Sequence, residues 1–351
     1  MKRLSIIIPT YNMEQLLPQC LDSLVISPAA EALDVVVVND GSRDSSLQIA
    51  TNYAARYPEI IRVIDKPNGN YGSTINAALP TLRGEYVKIL DADDTFDTQA
   101  VAPFVEYLAQ VSGADMVVAP FTEISHQGER TVSYDLYHGK HFGYGVAYDA
   151  ERVFEREVIP YFMMHSVAYR TALMQSIGYH QREGVSYTDL QWCFFPIFKV
   201  ATIAFTDISL YRYNLTREGQ SMDSTVQLRK IDELTTVVTD MAQMLDSYGS
   251  EVSVARYNFL AGVVMRRMQT VLRKYLLEMD DRTFATSNFE ATLAAFMRYA
   301  PQPLRVYING KLRVDILRRW QRRGSRYPRL IRRAILAVDS AMQRIYKALF
   351  G

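Results

Sequence analysis

The segment 33–42, LDVVVVNDGS, constrains the fold of this chain most strongly. Its consecutive valines favour a strand buried on both faces, and Asn-Asp-Gly-Ser ends that strand in a turn. Apolar runs of four to six residues recur along the first 120 residues, and helical patterns of ten or more residues separate them. This alternation predicts right-handed crossovers and an α/β fold whose mostly parallel sheet is flanked by helices.

Polar residues follow four of the predicted strands. These endings read PTYN, NDGS, KPNGNYG and DADD in chain order. In open parallel sheets ligands bind in the crevice at the carboxyl ends of the strands. We therefore expect all four endings to face one crevice.

The ending DADD, residues 91–94, places three carboxylates within four positions. Alternate residues of a strand point the same way, so Asp91 and Asp93 can converge on one divalent cation. Oxygen ligands favour Mg²⁺ or Mn²⁺, and so few of them leave coordination positions for phosphate oxygens. The alternative is structural, with Asp93 or Asp94 capping the helix that follows.

The endings NDGS and KPNGNYG predict contacts to a ligand, each with an alternative. Asp40 either belongs to an ordinary Asp-Gly turn or accepts a hydrogen bond from a nucleobase or a ribose hydroxyl. Lys66 either meets a phosphate or is solvated. The glycines let the backbone approach a ligand closely. Neither segment is a P-loop or a G-x-G-x-x-G motif, so a nucleoside triphosphatase or dinucleotide enzyme is not indicated.

Cysteine content and hydropathy predict the compartment. Cys20 and Cys193 are the two cysteines and form neither a disulfide framework nor a metal-ligand spacing, which favours a reducing compartment. Residues 4–12 already read as a strand and turn rather than a signal peptide. No apolar run approaches the roughly 18–20 residues that span a bilayer. We expect a cytoplasmic protein.

Charge is distributed unevenly along the chain. Residues 311–351 contain 12 basic and 2 acidic side chains, a net charge of +10, whereas the whole chain carries +1. The predicted last helix has an apolar stripe of Ile331, Ile335, Val338, Met342, Ile345 and Leu349. A basic amphipathic helix can bind an anionic membrane surface, here the inner face of the cell membrane. The alternative is packing on the acidic surface of the rest of the chain. Nucleic acid binding is not expected, since no recognition motif is present.

The pattern predicts two domains. The strand and helix alternation loosens after about residue 120, and the sequence reads as almost wholly helical from about 225. We therefore expect an α/β domain over 1–222 and a helical region over 223–351 that ends in the basic tail 311–351.

Together the motifs SIIIPTYN, VNDGS, PNGNYGSTIN and LDADD resemble those of glycosyltransferase family 2 in order and spacing. The later segments YTDLQWCFFPI and LYRYNLTREGQSM are similar to motifs of its bacterial members, so the resemblance covers roughly residues 3–222. It implies a GT-A fold and inverting transfer of a sugar from a nucleotide donor, usually UDP-linked. The acceptor would be a glycan or lipid-linked molecule in surface polysaccharide synthesis.

The resemblance also implies roles for individual residues. Asp91 and Asp93 would bind the metal, and Asp189 would be the catalytic base that deprotonates the acceptor hydroxyl. The residues expected at the donor are Pro9, Thr10, Tyr11, Asp40, Lys66, Asn68, Gly72, Asn76, Asp91, Arg212, Gln220 and Ser221. The family often has an arginine where this chain has Ile75, and a glutamate where it has Thr188.

Several readings stay open at this point. His165 and Trp192 are candidates for acceptor contact, or His165 for the metal, and the alternative for both is ordinary packing. Asp189 itself could cap a helix. A non-catalytic protein that binds nucleotide sugars would keep NDGS and DADD but lose the base. A nucleotidyltransferase should carry a glycine-rich basic loop after its first strand, and PTYNMEQLL is not such a loop.

Overall fold

The computed structural model describes residues 2–134, 136–137, 140–156, 159, 161–217, 224–278 and 282–299. These residues fall into two compact units that divide between Val226 and Gln227, with Tyr248–Val263 belonging to the first unit. The domain boundary predicted at residue 222 lies outside the described residues and stays a prediction. So does the membrane or packing role of the tail 311–351.

Strands dominate the first unit. They are β1 (Leu4–Thr10), β2 (Leu33–Asp40), β3 (Ile61–Lys66), β4 (Tyr86–Ile89), β5 (Thr95–Phe96), β6 (Met116–Val118), β7 (Phe121–Ser125), β8 (Gly128–Val132), β9 (Leu136–Tyr137), β10 (Lys140–His141), β11 (Ala147–Asp149), β12 (Val167–Arg170), β13 (Thr202–Phe205) and β14 (Tyr211–Asn214). Eight of them form one sheet in the order β11-β13-β6-β12-β4-β1-β2-β3. The run β4-β1-β2-β3 is parallel, as is the β6–β13 pair, while β11 and β12 run antiparallel to their neighbours. The predicted α/β class is confirmed.

Helices connect these strands and form the second unit. They are α1 (Leu17–Val25), α2 (Ser46–Arg56), α3 (Asn70–Ala78), α4 (Thr98–Gln110), α5 (Ala150–Phe154), α6 (Thr171–Ser176), α7 (Asp189–Trp192), α8 (Ser224–Arg229), α9 (Ile231–Tyr248), α10 (Val254–Arg273) and α11 (Arg282–Tyr299). Helix α3 ends at Ala78, and the chain continues as the 3₁₀ turn Leu79–Thr81. Pro80 explains this ending, because proline lacks the N–H that an α-helix needs.

The hydrophobic core of the first unit is organised around β2. All eight residues of β2 are buried, since β1 and β3 flank it and helices cover the sheet. The register aligns Thr10 with Asn39 and Asp40 with Lys66, so β1, β2 and β3 end side by side. The polar residues that follow these strands therefore emerge at one edge, as the sequence predicts.

A second sheet contains four strands in the order β5-β14-β7-β8. Its strand β14 pairs in parallel with β7 and antiparallel with β5, which directly follows the DADD segment. This pairing brings Tyr211–Asn214 to the carboxylates although more than a hundred residues separate them in sequence.

The second unit is helical over its described residues. Helix α9 buries one apolar stripe, which includes Leu234, Val238 and Met241. Tyr275 donates its hydroxyl to the Asp232 carboxylate over 2.8 Å and so ties α9 to the segment that follows α10. In the part of the chain that the structure describes, no helix has the length and hydropathy that crossing a bilayer requires.

Candidate active site

Backbone strain marks the same edge of the large sheet. Among the described residues, Asn12, Asn70 and Tyr187 are the non-glycine residues with positive φ, at 54°, 65° and 65°. Asn12 follows β1, Asn70 begins α3, and Tyr187 lies two residues before Asp189. Asparagine tolerates the left-handed conformation, whereas a residue such as Tyr187 adopts it at a cost of about 1–2 kcal/mol. Such strain concentrates at functional loops, so its position agrees with the predicted crevice.

Asp91 is a half-buried carboxylate at the end of β4. Its Oδ1 accepts a hydrogen bond of 2.8 Å from the Tyr71 hydroxyl. Burial, followed by the negative charge of Asp93, raises the pKa of the Asp91 carboxyl to about 7. A cation at this position would offset both causes, because opposite charge favours the ionised carboxylate.

Asp94 does not cap the next helix, so that alternative is wrong. The cap is Asp97, whose carboxylate accepts from the Gln99 N–H over 2.9 Å. Asp94 instead accepts from the Tyr211 hydroxyl at 2.6 Å and from the Asn214 N–H at 2.7 Å. Burial, then the charge of Asp91, raises the pKa of Asp94 well above its usual range. Asp94 therefore anchors β14 at the acidic cluster.

Asp93 has a cationic partner that sequence reasoning missed. The guanidinium of Arg217 lies 3.0 Å from its Oδ2. The Nε of Arg217 is buried and has no hydrogen-bond partner among the described residues. The segment LYRYNLTREGQSM, which contains the predicted donor-binding residues Arg212, Gln220 and Ser221, also contains Arg217. Its position in this segment is the sequence signal that could have identified it. Arg217 thus places a positive charge beside the acidic cluster.

His165 completes a group that could hold a metal ion. A ring nitrogen of His165 and carboxylate oxygens of Asp91 and Asp94 all lie within 4.8 Å of one another. Burial, followed by the charge of Lys88, lowers the pKa of the imidazole to about 3, so it is neutral at physiological pH. Two carboxylates and a neutral imidazole fit a divalent cation. The sequence instead predicts Asp91 and Asp93 as the metal ligands, and metal binding by Asp93 remains a prediction.

Asp189 faces the acidic cluster. It is the first residue of α7 and is half-buried, and Thr188 rather than Asp189 occupies the cap position. After burial and the charge of Asp91, the charge of Asp189 adds to the raised pKa of the Tyr71 hydroxyl. It also raises the pKa of Asp91, behind burial and Asp93. The predicted base and the predicted metal ligand therefore share one electrostatic environment.

Asp40 and Lys66 are engaged with each other. Lys66 Nζ donates to Asp40 Oδ1 at 2.7 Å, to the Ser73 hydroxyl at 2.7 Å and to the Pro67 carbonyl at 2.6 Å. Asp40 Oδ1 also accepts from the Gly69 N–H at 2.9 Å. These bonds fix the loop after β3 against the end of β2. Ligand contacts by Asp40 and Lys66 stay predictions, and phosphate binding by Lys66 would require its ammonium to exchange partners.

The other residues of this loop that are predicted to bind the nucleotide-sugar donor stabilise the backbone conformation. Asn68 donates to the Asp40 carbonyl over 2.9 Å. Asn76 both donates to the Gln181 carbonyl and accepts from the Gln181 N–H, each over 2.8 Å. A Cβ on Gly72 would lie 2.0 Å from the Arg182 carbonyl oxygen, so only glycine fits there. This bracing joins α3 to the segment that leads into Asp189.

Pro9, Thr10 and Tyr11 differ in their accessibility at the end of β1. Thr10 is buried, Pro9 is half-buried, and Tyr11 is 42% exposed. An exposed ring at the carboxyl edge of the sheet is available for stacking on a planar ligand. The nucleobase contact predicted for Tyr11 remains a prediction that this exposure favours.

The remaining predicted site residues are Trp192, Arg212, Gln220 and Ser221. Trp192 is fully buried and packs against the rings of Tyr169 and Tyr179, as its core-packing alternative describes, and its acceptor contact stays a prediction. Arg212 pairs with Glu129 of β8 at 2.5 Å. Gln220 and Ser221 lie outside the described residues.

Comparison with known proteins identifies the family that this chain resembles. The sequence profile described as Glycosyl transferase family 2 matches residues 5–178. The uncharacterized glycosyltransferase MG025 homolog of Mycoplasma pneumoniae is 29% identical over 274 residues, covering 76% of this chain and 86% of the relative. The poly(ribitol-phosphate) beta-glucosyltransferase of Bacillus spizizenii is 32% identical over 129 residues, covering 36% of this chain and 20% of the relative.

Solved structures share the fold. The crystal structure of S. aureus TarS 1–349 matches with a TM-score of 0.62 at 20% identity, covering 86% of this chain and 82% of that chain. Its complex with UDP-GlcNAc matches with a TM-score of 0.52 at 20% identity over 88% and 92%. The mannosyltransferase PcManGT from Pyrobaculum calidifontis, in complex with GDP-Man and Mn²⁺, matches with a TM-score of 0.52 at 16% identity over 91% and 83%.

Proposed function

Because this chain belongs to glycosyltransferase family 2 and has the GT-A fold, its reaction is glycosyl transfer, and we propose a specific form of that reaction. The proposal is metal-dependent, inverting transfer from a nucleotide-diphosphate sugar, a UDP-sugar, to a hydroxyl of a glycan or lipid-linked acceptor. The observation that carries it is the group of possible metal-ligand atoms of Asp91, Asp94 and His165, all within 4.8 Å of one another at the carboxyl edge of the sheet. The charge of Asp189 acts on Asp91 in this group.

The acidic group is suited to a cation that binds a diphosphate. Asp91 and Asp94 offer carboxylate oxygens and His165 a ring nitrogen, all close together. A bound Mn²⁺ or Mg²⁺ would act there as a Lewis acid that stabilises the charge developing on the leaving diphosphate. Arg217, which lies beside Asp93, would contribute a second positive charge to the same leaving group.

Asp189 would act as the base. A carboxylate near Asp91, yet on a different element, can take the proton of an acceptor hydroxyl while that hydroxyl attacks the anomeric carbon. A single base and one in-line displacement invert the anomeric configuration, and no carboxylate nucleophile is needed. Tyr187, held at a φ of 65°, directs the chain into α7 and so contributes to the placement of Asp189.

The relatives support the choice of donor and acceptor class. One structural neighbour is a complex with UDP-GlcNAc, and another holds GDP-Man with Mn²⁺. A relative by sequence is a poly(ribitol-phosphate) glucosyltransferase. We therefore propose a role in the synthesis of a cell-surface polymer. Action in the cytoplasm at the inner face of the membrane is the part of this proposal that rests on the cysteine content and the basic tail.

Calorimetric titration tests the donor site. UDP, GDP, CDP and ADP are titrated into the full chain with and without Mn²⁺, and into Asp91→Asn and the control Asp97→Asn. We expect UDP binding that Mn²⁺ strengthens, that Asp91→Asn loses and that Asp97→Asn retains, since asparagine caps a helix about as well as aspartate does. Absence of binding to any nucleotide would overturn the proposed function.

Product analysis tests the transfer step. With the donor class known, UDP-sugars are incubated with hydroxyl-bearing acceptors, and NMR of the anomeric proton reports the product configuration. We expect inversion in the wild type and loss of transfer in Asp189→Asn with nucleotide binding retained. Retention of configuration would contradict the single-base mechanism. Nucleotide binding with unchanged transfer in Asp189→Asn would remove Asp189 from its role.

A further inference from the structure

We propose that His165 is a nitrogen ligand of the catalytic cation, held in position by Lys88, and that it makes the site prefer Mn²⁺ over Mg²⁺. This inference rests on the proposed function and deepens it. The potential ligand atoms of His165, Asp91 and Asp94 lie within 4.8 Å of one another. Ligand atoms on one small octahedral cation lie about 3.0–4.2 Å apart, given bonds of about 2.1 Å. The three side chains therefore need to close by at most about 2 Å around an ion.

The imidazole of His165 lacks the partner that a buried imidazole normally has. The residue is 7% exposed, and its Nδ1 has no hydrogen-bond partner among the described residues. Buried polar atoms in native proteins are nearly always satisfied, so an orphaned one calls for an explanation. Because no described group bonds to Nδ1 and fixes the tautomer, either ring nitrogen can carry the lone pair that a cation needs. A cation bound by the ring would account for a polar side chain buried beside two carboxylates.

Aromatic neighbours fix the plane of the ring. The imidazole stacks on Tyr213 with centroids 4.1 Å apart and an interplanar angle of 24°. Phe121 lies 5.1 Å away, and Tyr211 contacts the ring edge-on at 4.7 Å. Tyr211 also donates to Asp94, so the group that orients the ring also orients a carboxylate. Such preorganisation is what a ligand for a metal requires.

Lys88 positions the backbone that carries His165. Its ammonium donates to the carbonyl of His165 at 2.6 Å and to that of Val167 at 3.1 Å. Lys88 is 1% exposed, and burying an ammonium is costly unless it is hydrogen-bonded. Lys88 belongs to β4, the strand that ends just before Asp91. One strand thus sets the position of both ligands, which accounts for a lysine inside the core.

The mixed donor set predicts the preferred metal. Mg²⁺ favours oxygen ligands in near-ideal octahedral geometry, whereas imidazole suits softer transition metals. Mn²⁺ accepts carboxylates and lies within the transition series, so one nitrogen ligand shifts the preference from Mg²⁺ toward Mn²⁺. Removal of the imidazole should weaken Mn²⁺ binding more than Mg²⁺ binding.

Electron spin echo spectroscopy tests the ligand directly. Mn²⁺ and UDP are added to the tag-free full chain, and modulation from a coordinated ¹⁴N nucleus is recorded. Labelling with ¹⁵N-histidine should replace that modulation by the ¹⁵N pattern, which needs no mutation and therefore no assumption about folding. Bound Mn²⁺ without nitrogen modulation would overturn the inference and leave the proposed function intact. Absence of nucleotide binding would overturn the proposed function itself.

Two matched variants identify which histidine contributes. His165→Gln should lose the nitrogen modulation and weaken Mn²⁺ binding by at least about tenfold, with a smaller change for Mg²⁺. His126→Gln, at an exposed turn between β7 and β8, should behave as the wild type. Modulation that persists in His165→Gln, or an equal loss for both metals, would contradict the assignment.

A further variant tests the positioning role of Lys88. Lys88→Met keeps the apolar stem and removes the ammonium, so the carbonyls of His165 and Val167 lose their donor. We expect Mn²⁺ affinity to fall about 10–100-fold and the nitrogen coupling to weaken, with metal-free UDP binding unchanged. A merely structural lysine would lower thermal stability without moving the nitrogen coupling, and that result would remove Lys88 from the proposal.

Discussion

The large sheet holds carboxylates in opposite circumstances at its two edges, the edge where its parallel strands begin and the edge where they end. At the amino end, Asp34 accepts from Arg62, from the Ser5 hydroxyl and from the Arg83 N–H, at 2.7–3.1 Å. At the carboxyl end, the edge carries Asp91, Asp93 and Asp94 of the nearby β4 ending. The first carboxylate is satisfied by protein groups, whereas the others crowd one another.

This difference appears in the pKa values. Burial alone would raise the pKa of Asp34, but the bonds from Arg62 and Arg83 outweigh it and lower the pKa. For Asp91 and Asp94, burial and the neighbouring carboxylates act together and raise the pKa. A carboxylate whose ionised form is favoured stabilises the folded state, and one whose ionised form is disfavoured destabilises it. The carboxylate at the amino end therefore stabilises the folded protein. The carboxylates at the carboxyl end repel one another, and a bound cation would relieve that repulsion.

The largest expected effect is the separation of activity from stability at Asp91. Asp91→Asn should abolish measurable transfer, a loss of at least about 10³-fold, because the cation loses a ligand and the diphosphate loses its cation. The free energy of unfolding should stay the same or rise, since one of three crowded negative charges is removed. Enzyme assays and urea denaturation on the same preparation measure both quantities. A loss of stability would show that Asp91 is structural. Retained activity would show that Asp91 is not needed to bind the cation.

The next effect concerns Asp189 and separates binding from chemistry within the crevice. Asp189→Asn should reduce kcat by about 10²–10⁴-fold, which is the usual contribution of a general base. The affinity for UDP with Mn²⁺ should not change, because Asp189 does not belong to the group of potential metal ligands. Single-turnover kinetics and calorimetry give the two numbers. A parallel loss of UDP affinity would place Asp189 on the donor side instead.

Sequence patterns predicted the parallel core and the convergence of the strand endings, because burial, strand length and turn chemistry are local properties. The cap at Asp97 was missed although an Asp directly before a helical pattern is the usual signal. The partners of Asp94 could not be predicted, because the pairing of β14 beside β5 brings Tyr211 and Asn214 from far along the chain. The contacts of Lys88 could not be predicted either, because the carbonyls that it binds belong to Val167 in β12 and to His165 in the turn before β12.

At the amino end the expected effect is on stability alone. Asp34→Ala should lower the free energy of unfolding by about 2–4 kcal/mol, because three buried or half-buried donors lose a charged acceptor. The value of kcat/KM per folded molecule should match the wild type. Urea denaturation and active-site titration test this pair of outcomes. A loss of activity without a loss of stability would break the contrast between the two edges of the sheet.

The smallest effect is the pH dependence that Asp34 contributes. Its pKa is lowered in the folded protein, so its stabilisation is present above the unfolded pKa of about 3.9 and is lost as pH falls through the folded value. Asp34→Asn should therefore differ most from the wild type near neutral pH and progressively less below about pH 4. Urea denaturation of both proteins between pH 6 and pH 3 measures this convergence. If the difference stayed constant over that range, the stabilisation would come from packing and hydrogen bonds that do not require the charge, and the electrostatic half of the comparison would fail.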